Sequence, residues 1–402
     1  MALDTFWPSR SLGVAALCGL LALGLGGGLA GCLIGGSGTR ERVPVARSPL
    51  ATRGVAAGSP GTCMSALRSG ALTDAQPDVA LERQWARYGD SASGWTGGDG
   101  GYSVLAPGGA RLWIFGDTFL GGVLPGNRRP PGAPMVHNTV VVQRGATFTT
   151  IAGGTPRSPH SLLRPRRATS GYLFYAGPAL FDGPVLQLLL PEYHQEGSSL
   201  ATDHPVGSAL VRLAYPSMAV LGMAHLPFSG DVAWSSWVLR SGAYTYIYGV
   251  EDHHTVRYMH VARVAGTDLS SPWSYFDGSG WSPDPARSVR VMSGVDTGYS
   301  VVRVDGVYVL VTRSTTPSAF SDAIDAYFSC SPVGPFVDRV VLYRAPQALV
   351  GAFVYDAVAQ PGLGSGDRIV IGYSVDPANT AVLFSNVRTY RPRYLEVRLP
   401  LR

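Results

Sequence analysis

Between residues 102 and 373 the chain repeats one plan: an apolar run, a tight turn built on glycine, and a second apolar run. Its clearest copies are Tyr102 to Phe115 around Pro107-Gly108-Gly109, Trp237 to Tyr248 around Ser241-Gly242, Tyr299 to Val311 around Asp305-Gly306, and Val354 to Tyr373 around Gly364 to Gly366. Runs of this length, rich in aromatic and β-branched residues and punctuated by Gly, read as β-hairpins. With Leu112, Thr245, Tyr308 and Val370 as equivalent points, the last three lie about 60 residues apart, an interval in the range of β-repeat architectures. The first gap is about twice as long. A further copy is therefore expected inside it, and Gly183 to Leu190 supplies a strand-like run. Stretches such as Arg257 to Val264 and Tyr327 to Tyr343 supply outer strands. Gly 51 and Pro 30 serve the turns, and 46% hydrophobic residues are ample for a core. Four-stranded units repeated around an axis make a propeller, whereas the strands of a sandwich do not recur as hairpins at this interval. The expected fold is all-β, a five-bladed β-propeller over residues 81–402.

The first repeat carries the strongest chemical signal. It runs from Trp95-Thr-Gly-Gly-Asp-Gly to Trp113-Ile-Phe-Gly-Asp-Thr-Phe, and Asp99 and Asp117 are equidistant from Gly108. Residues so placed face each other across a hairpin with Cβ atoms roughly 4.5 to 5.5 Å apart, subject to a one-residue slip in register. Two carboxyls that close resist joint ionisation, and one is pushed up. A protonated acid beside an ionised one is what cleavage of a glycosidic bond requires. The competing reading is that each acid only bonds backbone in its own Gly-Asp loop.

Other residues are weighed for the same mouth. His137 and Asn138 follow the hairpin and either bond sugar hydroxyls or hold loop backbone. Asp231 and Glu251 are equidistant from Ser241, so a second acid pair is expected there, with a polar loop as the alternative. Asp296, Tyr299 and Asp356 recur at the starts of later inner strands and serve either substrate or blade construction. Trp95, Tyr102, Trp234 and Trp237 are candidate platforms for sugar rings, or packing between blades.

Arg10 precedes an apolar stretch from Leu12 to Leu29 that ends Leu29-Ala30-Gly31-Cys32. Residues 1–32 read as a signal peptide ending in a motif that resembles a bacterial lipobox, which implies lipid on Cys32; an uncleaved membrane anchor is the alternative. Either places the remainder outside the cytoplasm, attached to the outer face of a membrane. Residues 33–80, rich in Gly, Ser, Pro, Ala and Arg, read as a flexible tether. Cys63 and Cys330 are left, as a disulfide or as two thiols. A bridge would add at most about 4 to 5 kcal/mol in the chain-entropy picture. The net charge of +5 is carried by scattered arginines with no lysine. No nucleic-acid motif accompanies them, and nucleic acid is not an expected partner. No spacing of His, Cys or acids suggests a metal, no cofactor is expected, and the protein is expected to be a monomer that meets a polysaccharide.

The Gly-Asp segments of the first repeat, Trp273-Ser-Tyr-Phe-Asp-Gly-Ser-Gly-Trp281, Ser331-Pro-Val-Gly-Pro-Phe336 and Tyr390-Arg-Pro-Arg-Tyr394 resemble signature segments of bacterial five-bladed propellers of unknown function. Some of those are classed as glycoside hydrolase family 183, which contains endo-D-arabinanases. The resemblance implies an endo-D-arabinanase-like hydrolase with Asp99 and Asp117 as the catalytic acids. Relatives tend to carry His before Pro where this chain has Ala359-Gln360-Pro361, and a non-catalytic carbohydrate-binding or scaffolding propeller is the alternative function.

Overall fold

In the computed structural model of the chain the repeated apolar runs pair as antiparallel hairpins. Residues 63, 74–91, 94–167, 169–196, 203–254, 256–315 and 321–401 are described. The apolar leader, Cys32 and the tether up to residue 73, Cys63 apart, lie outside the described residues. Among the described residues, five sheets of at least four strands follow one another along the chain. The first orders Tyr102–Leu105, Arg111–Phe115, Thr139–Arg144 and Thr147–Ile151. In the second, Tyr172–Phe174 and Ala179–Asp182 both pair with Val185–His194, followed by His204–Ala214 and Ala219–His225. The third begins Val232–Ser241, Tyr244–Asp252, Arg257–Ala265, and the fourth runs Tyr299–Val304, Val307–Arg313, Ala323–Ser329, Val337–Arg344.

The fifth sheet joins the two ends of the domain. Ala352–Ala359, Arg368–Pro377 and Arg393–Arg398 are completed by Asp74–Pro77, which pairs antiparallel to Arg393–Arg398. Residues 74–80, expected as the end of the tether, are thus strand and the start of a helix. First strands of neighbouring sheets touch: Val232–Ser241 meets Tyr299–Val304, which meets Ala352–Ala359, and Ala179–Asp182 meets Tyr102–Leu105. Buried side chains of these strands and of the strands paired to them, among them Ile114, Leu188, Tyr248, Val301 and Val358, form the largest core cluster.

The helix, Val79–Asp90, was not expected from the sequence. Asp78 caps it by accepting from the Leu81 amide at 2.9 Å, and Leu81, Trp85 and Tyr88 fall on one buried face. Trp85 is the hub of an aromatic cluster, with ring centroids 4.8 Å from Trp95 and Phe148, 5.2 Å from Phe115 and 5.4 Å from Trp113. Trp95 is fully buried there, so it is packing and not a sugar platform. Trp234 and Trp237 are likewise buried, and the Trp237 indole N–H donates to the Val301 carbonyl. Cys63 and Cys330 are bridged, with Cα atoms 5.6 Å apart, tying residue 63 to the fourth sheet.

Trp85→Ala removes the ring on which this cluster closes. It is expected to cost about 3–5 kcal/mol in denaturant unfolding, and an unchanged unfolding midpoint would contradict the placement.

Candidate functional site

The hairpin keeps the register its turn implies. Gly108 and Gly109 hold φ of 86° and 81°, a conformation that glycine adopts without strain, and Tyr102 pairs with Ile114 and Leu105 with Arg111. The pairing continues past the strands: the Asp99 amide donates to the Asp117 carbonyl at 3.2 Å, and the Gly116 amide to the Asp99 carbonyl at 2.9 Å. Asp99 and Asp117 therefore stand across from each other and line a cavity of about 640 Å³. The cavity collects side chains from every one of the five sheets or the segments between them, including Tyr175, Asp252, Asp296, Tyr355 and Asp356.

Each hairpin acid is held by specific partners. Asp99 Oδ2 accepts from the Tyr355 hydroxyl at 2.9 Å and the Tyr390 hydroxyl at 2.6 Å. Opposite it, a Cβ on Gly116 would come within 2.5 Å of Asp99 Oδ1, so the glycine makes room for the carboxylate. Asp117 is buried, and its Oδ1 lies 2.8 Å from His137 Nδ1. The His137 side chain is 33% exposed and meets the Tyr175 ring edge-on at 6.0 Å.

Two further acids differ sharply in charge. Asp296 is buried, yet Arg313 grips it through two bonds of 2.8 and 2.9 Å and Arg257 reaches it at 3.4 Å. Burial opposes its ionisation, but these guanidinium groups outweigh it and hold the carboxyl below its ordinary range. Asp356 shows the reverse. It lines the cavity, and burial first, then the charges of Asp296 and Asp99, push it up to about 8 against Arg313 and Arg257. Its backbone explains its aim: pairing shifts between Tyr355, opposite Ser374, and Val358, opposite Gly372. Asp356 lies in that bulge with φ of 49°, a left-handed conformation that Asp tolerates better than most residues. A Cβ on Gly298 would clash with Asp356 Oδ1, so Gly298 too is a requirement of the site.

Several residues expected at the mouth are elsewhere. The second acid pair is out by one residue: Val232, not Asp231, faces Glu251, and a one-residue slip turns a side chain to the other face. Asp231 does line the cavity, but with Asp252. Glu251 is bound instead by Arg290 at 2.6 and 2.7 Å, His253 at 2.6 Å and His260 at 3.1 Å. Arg290 above all, then the histidines, hold it at about 2 despite the opposing cost of burial. Asn138 is buried and clamps backbone, donating to Leu163 and Phe174 carbonyls and accepting from the Leu163 amide. Tyr299 is buried and donates to the Gly249 carbonyl at 2.8 Å. Gln360, where relatives tend to carry His, donates to the Gly101 carbonyl at 3.0 Å and lines a second cavity of about 480 Å³ beside Tyr102 and Trp237. Tyr355, Tyr390 and Asp252 were missed by sequence reasoning. They come from segments far along the chain from the hairpin, and although Tyr390 opens a signature segment, nothing local points from it to Asp99.

A sequence profile described as a domain of unknown function, DUF5005, matches residues 82–399, and the chain belongs to that family. No curated protein matches the chain. Among solved structures, a protein of Bacteroides ovatus described as a candidate hydrolase is 20% identical, with a TM-score of 0.68 over 82% of this chain and 92% of that one. The mostly β fold is shared with it. A family 117 glycoside hydrolase from Zobellia galactanivorans is 10% identical, with a TM-score of 0.46 over 81% and 90% of the two chains. An α-L-arabinofuranosidase from Podospora anserina is 12% identical, with a TM-score of 0.42 over 77% and 92%.

The raised Asp356 fixes a sign for stability against pH. Between its unfolded value of 3.8 and about 8, the folded protein keeps a proton that the unfolded chain has lost, so stability falls as pH rises through that window. Asp356→Asn, which retains the tolerance for left-handed backbone, removes this loss. The variant is expected to melt a few degrees above wild type at pH 8 and level with it at pH 4, by calorimetry. Equal melting temperatures at pH 8 would show that Asp356 is ionised in the fold.

Proposed function

We propose that this DUF5005 protein is a glycoside hydrolase whose five sheets form the blades of a five-bladed β-propeller, with Asp99 and Asp117 acting on a furanose-rich polysaccharide. The observation that carries the proposal is the pair itself: two carboxyls across the open end of one hairpin, both facing a cavity of about 640 Å³. That volume lies within the roughly 300–1,000 Å³ of small-molecule sites and suits a short run of sugar units. Hydrolysis of a glycoside needs a carboxylate as base or nucleophile at the anomeric carbon, and a proton for the departing oxygen. Asp99 suits the first task, since two phenol donors stabilise its ionised form. Asp117 faces the same space, and His137 orients it.

D-arabinan is the substrate proposed, on the resemblance of the two Gly-Asp segments to endo-D-arabinanases of glycoside hydrolase family 183. Attachment to the outer face of a bacterial membrane through Cys32 is part of the same proposal. The Cys63–Cys330 bridge supports an oxidising compartment for the domain.

The test is release of oligosaccharides from purified mycobacterial arabinogalactan by the wild-type protein and by Asp117→Asn. Wild type is expected to release products, and the variant to be slower by about 10²–10⁴-fold, the range for loss of a positioned acid or base. Release by both at similar rates would remove Asp117 from the chemistry. Release by neither would remove D-arabinan as substrate.

A further inference from the structure

The hairpin acids leave the source of the proton open. Asp99 is tied to two phenols and Asp117 to an imidazole. Of the other cavity acids, Asp296 and Asp252 face guanidinium groups, Asp252 taking Arg257 at 2.9 Å, Asp203 accepts from the Tyr175 hydroxyl, and Asp231 and Asp376 also line the space. Asp356 is set differently. The bulge after Tyr355 and the left-handed backbone turn it toward the cavity, and Gly298 leaves it space that any side chain would fill. It follows directly on Tyr355, whose hydroxyl holds Asp99, so the two acids are linked through adjacent residues of one strand.

We infer that Asp356 is the proton donor to the departing glycosidic oxygen, a third catalytic carboxyl in the cavity that the hairpin pair lines. The inference rests on the hydrolase reading and deepens it. In the step proposed, the Asp356 proton passes to the glycosidic oxygen as the bond from that oxygen to the anomeric carbon breaks and its electron pair stays on oxygen. Water then bonds to the anomeric carbon, and the proton it gives up passes to a hairpin carboxylate when it attacks directly, or back to Asp356 when it cleaves a glycosyl ester formed with a hairpin carboxylate. Exchange with solvent resets the carboxyls on the direct path, the ester path returns them unaided, and one water is consumed for each bond cut.

The surroundings keep Asp356 protonated near neutrality. Burial and the charges of Asp296 and Asp99 raise it, and Arg313 and Arg257 oppose them. The phenols of Tyr102, Tyr193 and Tyr355 also feel its charge. Burial pushes all three above the ordinary tyrosine range, so they stay neutral while Asp356 titrates.

The experiment compares wild type and Asp356→Asn on two probes across pH: arabinogalactan, and the 2,4-dinitrophenyl glycoside of a short arabinan oligosaccharide, whose leaving group departs without a proton. Wild type on arabinogalactan is expected to lose rate as pH rises through about 8. Asp356→Asn is expected to be slower there by about 10²-fold or more, without that alkaline limb, yet within a few-fold of wild type on the dinitrophenyl probe. A variant that keeps both the arabinogalactan rate and the limb overturns the inference. So does one that loses both probes equally, or a wild type with no alkaline limb between pH 7 and 9. Inactivity of wild type on both probes is a different failure, that of the hydrolase reading itself.

Discussion

The site depends on the pairing of Asp74–Pro77 with Arg393–Arg398. That contact makes one sheet from the first and last described strands of the domain, and the helix Val79–Asp90 leads from it to the first repeat. The two phenols that bind Asp99 lie across this seam. The carboxylate comes from the hairpin of the first sheet, while its two phenols come from residues 355 and 390. The seam is stitched by backbone as well: the Gly98 amide donates to the Tyr390 carbonyl, and the Gly100 amide to the Ser374 hydroxyl. Trp85 and Arg391 cover its outer side, with Arg391 bonded to the Thr96 carbonyl and to Asp90. The hairpin alone pairs Asp99 with Asp117; the N-terminal strand and helix belong to the frame that brings Tyr355 and Tyr390 to Asp99.

Charge in the cavity is organised by pairing. Asp252 and Asp296 share Arg257, and Arg313 closes on Asp296 from the other side. This subset is neutralised within itself. Asp99 relies on neutral donors, and Asp356 on keeping its proton. Carboxyls crowded together without such differences would raise one another without assigning roles. Here environment divides them into an anion held by arginines, a carboxyl bound by two phenols, and an acid kept neutral by burial. The stability given up at Asp356 is of the kind retained at functional sites.

Much of this was legible in the sequence, and the reason is local. A hairpin's register follows from its turn, so the Gly108 symmetry located Asp99 and Asp117, and the recurring apolar runs located the inner strands. Asp231 and Glu251 miss each other because the turn is centred on Gly242-Ala243, with Ser241 opposite Tyr244, and the bulge between Ala233 and Trp237 recovers only part of that offset, leaving Val232 opposite Glu251. Trp95 was misplaced because an aromatic next to an acid looks alike whether it faces a sugar or a core. The helix at Val79–Asp90 was hidden in a region whose composition resembled a tether. Tyr355, Tyr390 and Asp356 are long-range partners whose closeness to the hairpin appears only once the fifth sheet is joined.

The most direct test of the account is a crystal structure of the Asp117→Asn protein with an arabinan oligosaccharide bound. The account predicts a glycosidic oxygen within hydrogen-bonding distance of Asp356, with its anomeric carbon facing the hairpin pair. An oligosaccharide seated in the second cavity beside Gln360, or one whose glycosidic oxygens lie away from Asp99, the substituted hairpin position and Asp356, would contradict it.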